Sequence, residues 1–437
     1  DSNNVINGQK YYYAVVSYDH GDAELMVAPV ECSKTITVNP ETGEVLLDVN
    51  TVAVVPRTMT AGYVASTFTD SLPDQIQGNG TGLINLEIID HTAIQDQNDY
   101  KIIFSEDDGL NYSVLDEKEV SDTLIARLGN YHKLSHQNID SLTFELHNSN
   151  GILLTMGSDY DLLDTDGQIL IHNDGSINES EQIVATFIYY PIKNSKKLAL
   201  EEGNPIFDGM TLTVQNEVLE LDEEKIGWNQ DSPNNWVPTV KPFNNLGNNK
   251  YPADYELRWF NEKVSNNYRP GYEYVQTNFE IWETTRGFEP RQLPFIVIET
   301  APFDSIWNPG ERIIILQDSS MSSFSWELTF DTTDVPIAPV EGDVFSVFTT
   351  RAFVDDIFAF STSSSKEDII VEKDNMDDIY VVPNPYVVSS NIEPLDLQNP
   401  LDRGPRRVYF ANLPSNCSID IYTMSGELVR SLKPVSY

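Results

Sequence analysis

The sequence predicts an all-β protein composed of tandem β-sandwich domains. Short runs rich in β-branched and aromatic residues recur along the 437 residues, and apolar and polar residues alternate within them, which is the period of half-buried strands. Clusters of Asn, Asp and Gly separate these runs at the short spacing that is typical of a sandwich. The length leaves room for roughly three domains, each with a core of its own.

The chain begins with an aromatic-rich alternating run at residues 10–19 and a second strand-like run at residues 26–37. These runs resemble the last strands of a fibronectin type III domain, so residues 1–40 are predicted to be the end of such a domain. Two strands cannot bury a sandwich core by themselves. We therefore expect either that this domain is cut at its start or that these strands pair with something else. Residues 41–75 are predicted to be a linker.

Residues 76–220 are predicted to form a β-sandwich, because alternating segments follow one another with turns between them. Its strands are predicted at residues 82–89, 100–104, 112–115, 142–146, 152–155, 168–172, 183–190 and 205–214. Within this region, residues 121–134 carry apolar side chains at helical spacing and predict a short helix.

Residues 221–375 are predicted to form a second β-sandwich, which contains all six tryptophans of the chain. Large aromatic side chains of this kind fill the space between two sheets. A serine- and threonine-rich segment at residues 361–365 is predicted to be a flexible linker into the last module.

The last segment, residues 376–437, carries the most specific pattern in the chain. Its parts read VVPNPY at 381–386, RRVYFANLP at 406–414 and CSIDIYTMSGELV at 417–429. The prolines hold the first part extended. Alternation at residues 418–422 and 428–432, on either side of a glycine-containing turn, predicts a hairpin.

This pattern resembles the start of the C-terminal immunoglobulin-like (Ig-like) module of large secreted proteins from the Bacteroidetes and the Ignavibacteria–Marinimicrobia group. That module is similar to the flagellar hook-capping Ig-like domain and to type IX secretion sorting domains. The resemblance implies export by type IX secretion and an extracellular or outer cell-surface location. The module of that family continues with further strands, so we expect this one to be truncated at Tyr437. Together the two resemblances predict tandem Ig-like and fibronectin-like sandwiches.

The net charge of −41, from 68 acidic and 27 basic residues, limits the partners. Nucleic acid and anionic membrane surfaces are recognised by Lys and Arg, so neither is expected as a partner. No apolar run is long enough to span a bilayer. The acidity fits a saline habitat and the attraction of divalent cations.

A calcium site is the first candidate for chemistry. Calcium takes six to eight hard oxygen ligands, which aspartates clustered in turns can supply. The EF-hand spacing is absent, and Asp is common in turns for conformational reasons alone, so plain surface turns are the alternative. The candidate ligands are Asp159, Asp161, Asp164, Asp166 and Asp174.

A glycan-binding surface is the second candidate. Aromatic faces beside amide side chains hold sugar rings through apolar contact and hydrogen bonds. The alternative is that these aromatic residues fill the core of the second sandwich. The candidate residues are Trp228, Trp236, Tyr251, Tyr255 and Trp259.

The chain contains no GxSxG, Walker A, GxGxxG or HExxH motif, so an enzyme is not predicted. The sequence instead predicts a non-catalytic extracellular structural or adhesive region of a large bacterial surface protein. Its expected partners are other surface or extracellular proteins, glycans and copies of itself in a filament. The alternative function is a carbohydrate-binding accessory region of a secreted polysaccharide hydrolase.

Overall fold

The fold comes from a computed structural model, which describes residues 5, 7, 10–21, 26–33, 35–38, 45–69, 72–106, 109–198, 204–243, 250–266, 275–318, 324–382, 384–386 and 408–433. By its internal contacts the chain divides into two units. We call Thr67–Ser364 the central unit. We call Asp1–Ser66 together with Ser365–Tyr437 the discontinuous unit.

The all-β prediction is confirmed. Within the described residues the helical elements are α1, Ile369–Asp374, and one 3-10 turn, Met376–Asp378. Helix α1 begins after Asp368, whose carboxylate accepts hydrogen bonds from the first free backbone N–H groups of the helix. All other regular structure in the described ranges is β-strand.

The strands of the discontinuous unit are β1 (Tyr11–Ala14), β2 (Ile36–Val38), β3 (Val45–Leu47), β4 (Thr51–Val54), β5 (Tyr63–Val64), β32 (Lys366–Glu367), β33 (Tyr380–Val382), β34 (Tyr409–Ala411), β35 (Ile419–Tyr422) and β36 (Leu428–Leu432). The strands of the central unit up to its midpoint are β6 (Thr67–Phe68), β7 (Asp74–Gln77), β8 (Leu83–Ile88), β9 (Asn98–Ser105), β10 (Asn111–Ile125), β11 (Tyr131–Lys133), β12 (Glu145–Asn148), β13 (Tyr160–Leu163), β14 (Gln168–Ile171), β15 (Gln182–Ser195), β16 (Ile206–Phe207) and β17 (Met210–Gln215). Its remaining strands are β18 (Glu220–Leu221), β19 (Gly227–Trp228), β20 (Val237–Pro242), β21 (Tyr255–Trp259), β22 (Ser265–Asn266), β23 (Gln276–Thr277), β24 (Phe279–Glu283), β25 (Arg291–Leu293), β26 (Phe295–Ile298), β27 (Arg312–Leu316), β28 (Phe324–Asp331), β29 (Val344–Val347), β30 (Thr349–Thr350) and β31 (Ile357–Ser363).

The discontinuous unit consists of antiparallel strand pairs: β1 with β4, β2 with β3, β5 with β32, β33 with β34, and β35 with β36. The predicted C-terminal hairpin is confirmed, with Asp420 opposite Ser431 and Gly426 at a φ of +87° in the turn. The partner of the first aromatic strand is β4, which lies in the segment predicted to be a linker. Tyr13 and Val52 on this pair remain about half exposed.

The first core of the central unit lies between two sheets. One has the order β12-β15-β10-β9-β31-β6, with β7 also on β31, and the other has the order β16-β17-β8. Side chains of both fill the space between them, including Tyr100, Phe104, Met210, Leu212 and Phe360. Their burial follows the strand period, because every second residue of β9 is buried.

The second core is built on the far ends of the two longest strands, β10 and β15, which have 15 and 14 residues. Side chains such as Ile183 and Phe187 pack there against the small sheet β11-β14-β13. The helix predicted for residues 121–134 is wrong. Val120 and Leu124 also fit a period of two, and pairing with β15 places both against this core.

The third core lies between a five-stranded sheet, β19-β29-β21-β24-β25, and a four-stranded sheet, β20-β28-β27-β26. Aromatic side chains dominate it, and Trp259, Trp326 and Phe330 are fully buried. The chain then returns to the first core through β31, which pairs with β9. The linker predicted for residues 361–365 therefore lies partly in a strand, where the Thr362 hydroxyl is buried and donates to the Gln95 carbonyl.

Candidate functional site

The candidate site lies where the chain passes from the third core back to the first. Arg351 follows β30 directly and meets Asp254, which precedes β21. Its Nη1 lies 2.8 Å from Asp254 Oδ1, and its Nη2 lies 2.9 Å from Asp254 Oδ2. Both side chains are buried, with exposures of 5% for Arg351 and 7% for Asp254. This is a bidentate, charge-assisted pair in a site that is largely closed to water.

Further hydrogen bonds complete the coordination of both groups. The Arg351 Nε donates to the Asn79 carbonyl at 2.8 Å, and the Arg351 backbone exchanges hydrogen bonds with Thr81. Asp254 Oδ1 also accepts the backbone N–H of Thr349 at 3.0 Å. The pair therefore joins residues 79–81 at the first core to β21 and β30 at the third. A buried pair with this many partners fixes the segments that it joins relative to one another, and its charged groups are already engaged by the protein.

A cavity of about 670 Å³ borders the Arg351–Asp254 pair. Among its other ionic groups, Asp222, Lys225 and Arg286 have protein partners. Lys225 lies 2.8 Å from Asp222, and Arg286 donates to the side chain and the carbonyl of Gln75. The described lining contains no His, Cys, Ser or Tyr. Its potentially reactive groups are therefore threonine hydroxyls, carboxylates and the Lys225 amine, which is paired with Asp222.

A group of acids and tyrosines lies apart from this cavity. Asp116 is 1% exposed, and Asp208 accepts a hydrogen bond from the Tyr100 hydroxyl at 3.1 Å. Burial raises the pKa of Asp208, the nearby charge of Asp116 raises it further, and the Tyr100 hydrogen bond opposes the rise. Burial and the same two carboxylates raise the pKa of Tyr189. This pattern disfavours ionisation of Asp208 in the folded protein.

The five predicted calcium ligands lie in different hydrogen-bonding surroundings and are not gathered at one point. Asp159 is buried and closes a turn: one oxygen accepts the Thr155 N–H at 2.7 Å, and the other accepts the N–H and hydroxyl of Ser176 at 2.7 Å each. The N–H groups of Ser176 and Thr155 lower the pKa of Asp159. Its oxygens are thus engaged by the protein itself.

The other four aspartates have different surroundings. Asp161 lies 2.9 Å from His172, and Asp164 lies 3.2 Å from Lys193. Asp166 and Asp174 are exposed. Across the described ranges, no group of three His, Cys, Asp or Glu side chains is arranged to hold a metal ion. Calcium binding by these residues stays a prediction, and the described geometry does not assemble them.

Two of the five residues predicted to contact a sugar lie in the interior, which corrects that part of the prediction. Tyr255 and Trp259 are each 1% exposed and cannot contact a sugar ring. Trp228 packs on Trp259 with ring centroids 4.9 Å apart, and Trp236 packs against the third core. Of the five, Tyr251 alone is exposed. Burial of large aromatic side chains between two sheets is favourable, which explains why these rings pack toward the core.

Sequence reasoning missed Arg351 and Asp254. A signal existed for the arginine, because Arg351 is the lone charge in the apolar strand run VFSVFTTRAF, whereas Asp254 shares its segment PADYELRW with Glu256 and Arg258. Charges in such runs are buried only when they are paired. The sequence does not show which charge pairs with which.

Comparison with known proteins adds little. No protein-family model and no curated protein matches the chain. A search of solved structures finds the crystal structure of a group B streptococcus pilus 2b backbone protein, with 12% identity over 64% of this chain and 98% of that chain, at a TM-score of 0.10. A similarity at that score carries no argument. Within the described ranges, no helix has the length and apolar character needed to cross a membrane.

Proposed function

We propose that this chain is a non-catalytic structural and adhesive region of a large bacterial surface protein that is exported by type IX secretion. The observation that carries the proposal is the C-terminal pattern VVPNPY, RRVYFANLP and CSIDIYTMSGELV. The strands β33 to β36 fall on that pattern and pair as β33 with β34 and β35 with β36. These paired strands support the interpretation of this segment as the start of an Ig-like module.

The use of polar groups inside the central unit supports a structural role. The buried charged groups of Arg351 and Asp254 are hydrogen-bonded to each other and to backbone groups. The carboxylate of Asp159 accepts backbone hydrogen bonds that close a turn. Charges arranged in this way fix the positions of strands relative to one another, which is the task of a structural region.

The alternative, a carbohydrate-binding accessory region, receives no support from the described residues. Two of its five candidate residues, Trp259 and Tyr255, are buried, and Trp228 and Trp236 pack against the third core. Adhesion to proteins or to other copies of this chain remains the better proposal. The strong acidity, a net charge of −41, favours basic or cation-bridged partners over acidic ones.

The export proposal is tested on whole cells. The native protein is located by surface biotinylation and by protease accessibility in the source bacterium, with and without a functional type IX translocon. We expect labelling in the wild type and loss of labelling, with periplasmic accumulation, in the translocon mutant. Equal labelling in both strains would contradict the proposal.

A sorting-module variant makes the same test specific. Deleting residues 408–433, which contain β34 to β36, should also prevent surface labelling. Deleting residues 131–171, which contain β11 to β14 of the second core, is the matched control and should leave export intact. Adhesion is read separately, as attachment of cells in the presence of antibody fragments against the central unit, which should reduce it.

A further inference from the structure

We propose that the central unit is an insertion whose two ends are held together, so that tension along the chain reaches it only after the discontinuous unit opens. The central unit then unzips and lengthens the chain by roughly 1,000 Å. The inference rests on the proposed function, since a structural surface protein is one that bears tension. It is carried by the way the chain enters and leaves the central unit.

The entry and exit strands of the central unit pair with each other. Thr67 in β6 lies opposite Ser363 in β31, and Phe68 lies opposite Thr362. We call these four residues the neck. The backbone pairing continues inward, where the Thr69 N–H donates to the Ser361 carbonyl at 2.9 Å. The roughly 300 residues between the two sides of the neck therefore form a loop whose ends meet at the spacing of paired antiparallel strands, about 5 Å.

In the discontinuous unit, the chain just before the insertion is bonded to the chain just after it. Tyr63 and Val64 pair with Glu367 and Lys366, and we call these four residues the clasp. The Asp368 N–H donates to the Gly62 carbonyl at 2.8 Å. These hydrogen bonds connect the two flanking segments directly, so tension between those segments is carried here first.

A further bond of the same kind reaches the C-terminal strands. The Ala61 N–H donates to the Leu413 carbonyl at 3.0 Å, and the Asn375 side chain donates to the Ala61 carbonyl at 2.8 Å. The side of the chain before the insertion is thus tied to two separate segments after it. While these bonds hold, the flanking chain does not pull on the neck.

The geometry of the neck determines how it fails. Its hydrogen bonds run across the strands, and the two pulled ends are on the same side of the ladder. Tension therefore opens one residue pair at a time. If the pulled ends were at opposite ends of a ladder, all pairs would share the force and would have to break together. The neck is accordingly weak under end-to-end tension.

The same closure recurs inside the central unit. The chain enters the third core through β18 and leaves it through β30, with Leu221 opposite Thr349 and Glu220 opposite Thr350. The third core is therefore a closed insertion within the first sandwich. Tension that has opened the neck reaches this inner pair later, and the Arg351–Asp254 bond lies directly beside it. Extension should accordingly occur in steps, with the third core last.

Single-molecule force spectroscopy on the full chain, tethered near both termini, tests the proposal. Cys32 and Cys417 are first replaced by Ser, since both are free thiols. Thr67→Cys with Ser363→Cys places a disulfide across the neck, where the Cα atoms are partners. The oxidised variant should lose the extension of roughly 1,000 Å that the reduced variant shows. The oxidised variant thus identifies this step, and in the reduced variant the step should follow the shorter extension of the discontinuous unit. An extension of roughly 1,000 Å that comes before that of the discontinuous unit would overturn the proposal.

Two controls keep the result interpretable. Leu163→Cys with Gln168→Cys forms a disulfide across the β13–β14 ladder that encloses only a short turn, and it should leave the extension almost unchanged. If the neck variant does not fold, Val64→Cys with Lys366→Cys across the clasp should suppress the same extension. Loss of extension in the short-turn control would also count against the proposal.

The direction of pulling gives an independent readout. Tethers at Ile125→Cys and Lys197→Cys load β10 and β15 from opposite ends of their ladder, in shear. We expect the central unit to open at a several-fold higher force in this geometry than when it is pulled through the neck. Equal forces would refute the unzipping argument. Because this measurement uses purified protein, its failure is distinguishable from failure of the export test on cells.

Discussion

Replacing Arg351 by methionine should strongly destabilise the central unit. Methionine keeps most of the side-chain volume but removes two hydrogen bonds to Asp254 and one to the Asn79 carbonyl. Asp254 is 7% exposed, so its charge would remain buried without a counter-ion. Breaking a buried pair in this way costs about 3–5 kcal/mol.

Thermal unfolding followed by circular dichroism measures the effect. A loss of 1 kcal/mol lowers the Tm of a large domain by about 2 °C, so the expected fall is roughly 6–10 °C. Arg286→Met is the matched control, because Arg286 lines the same cavity but is exposed and, among the described residues, donates to Gln75 alone. A control of this kind should change stability by less than about 0.5–1 kcal/mol.

The double variant Arg351→Met with Asp254→Leu separates pairing from packing. When both charges are removed together, no uncompensated ion is left, and replacing a buried pair by apolar groups is often neutral. We expect it to recover most of the stability that Arg351→Met loses. A fall for Arg351→Met that equals that of Arg286→Met would refute the reasoning. So would a double variant less stable than both single variants.

Three further predictions concern the acids and the aromatic core. Asp208→Asn should stabilise the protein at neutral pH and not in acid. Burial raises the pKa of Asp208 in the folded protein, so the protonated carboxyl stabilises the fold below the usual Asp pKa. That stability is lost as the pH rises through the raised pKa. Urea unfolding at a series of pH values tests this, and an equal effect at all pH values would contradict it. Asp159→Ala should lower the free energy of unfolding by about 1–3 kcal/mol, because it leaves the Thr155 and Ser176 N–H groups unpaired. A chelator should leave the Tm of the parent protein unchanged, and a fall in Tm with chelator would favour calcium. Trp259→Ala should cost about 3–5 kcal/mol, as for a fully buried tryptophan, with no effect on polysaccharide retention, and altered retention without a fall in stability would restore the glycan surface.

Local patterns were predictable from the sequence, and long-range pairing was not. The hairpin of β35 and β36 follows from alternation around Gly426, because both strands and the turn lie within a few residues. Residues 121–134 fit two periods, and only the pairing of β10 with β15 decides between them. The candidate site depends on pairing at a distance. Asp254 and Arg351 are 97 residues apart, and no local feature of either one identifies the other.

The return of β31 to the first core leads to a last prediction, about the order in which the cores can form. Phe353, Phe358 and Phe360 belong to the first core, although the third core intervenes in sequence. Ending the chain after residue 352 removes all three but keeps Arg351 and every residue of the third core. Each buried Phe contributes about 3–5 kcal/mol, so the summed loss approaches or exceeds the total stability of a typical domain, about 5–15 kcal/mol.

The truncated chain should therefore lose the first core and keep the third. All six tryptophans lie within residues 228–326, so their fluorescence reports the third core selectively. We expect native-like tryptophan emission together with rapid protease cleavage within residues 83–105, which contain β8 and β9. Protection of those strands would show that the first core is stable without β31. The first core would then not depend on the segment that follows the third core, and the nesting of one within the other would be a feature of connectivity alone.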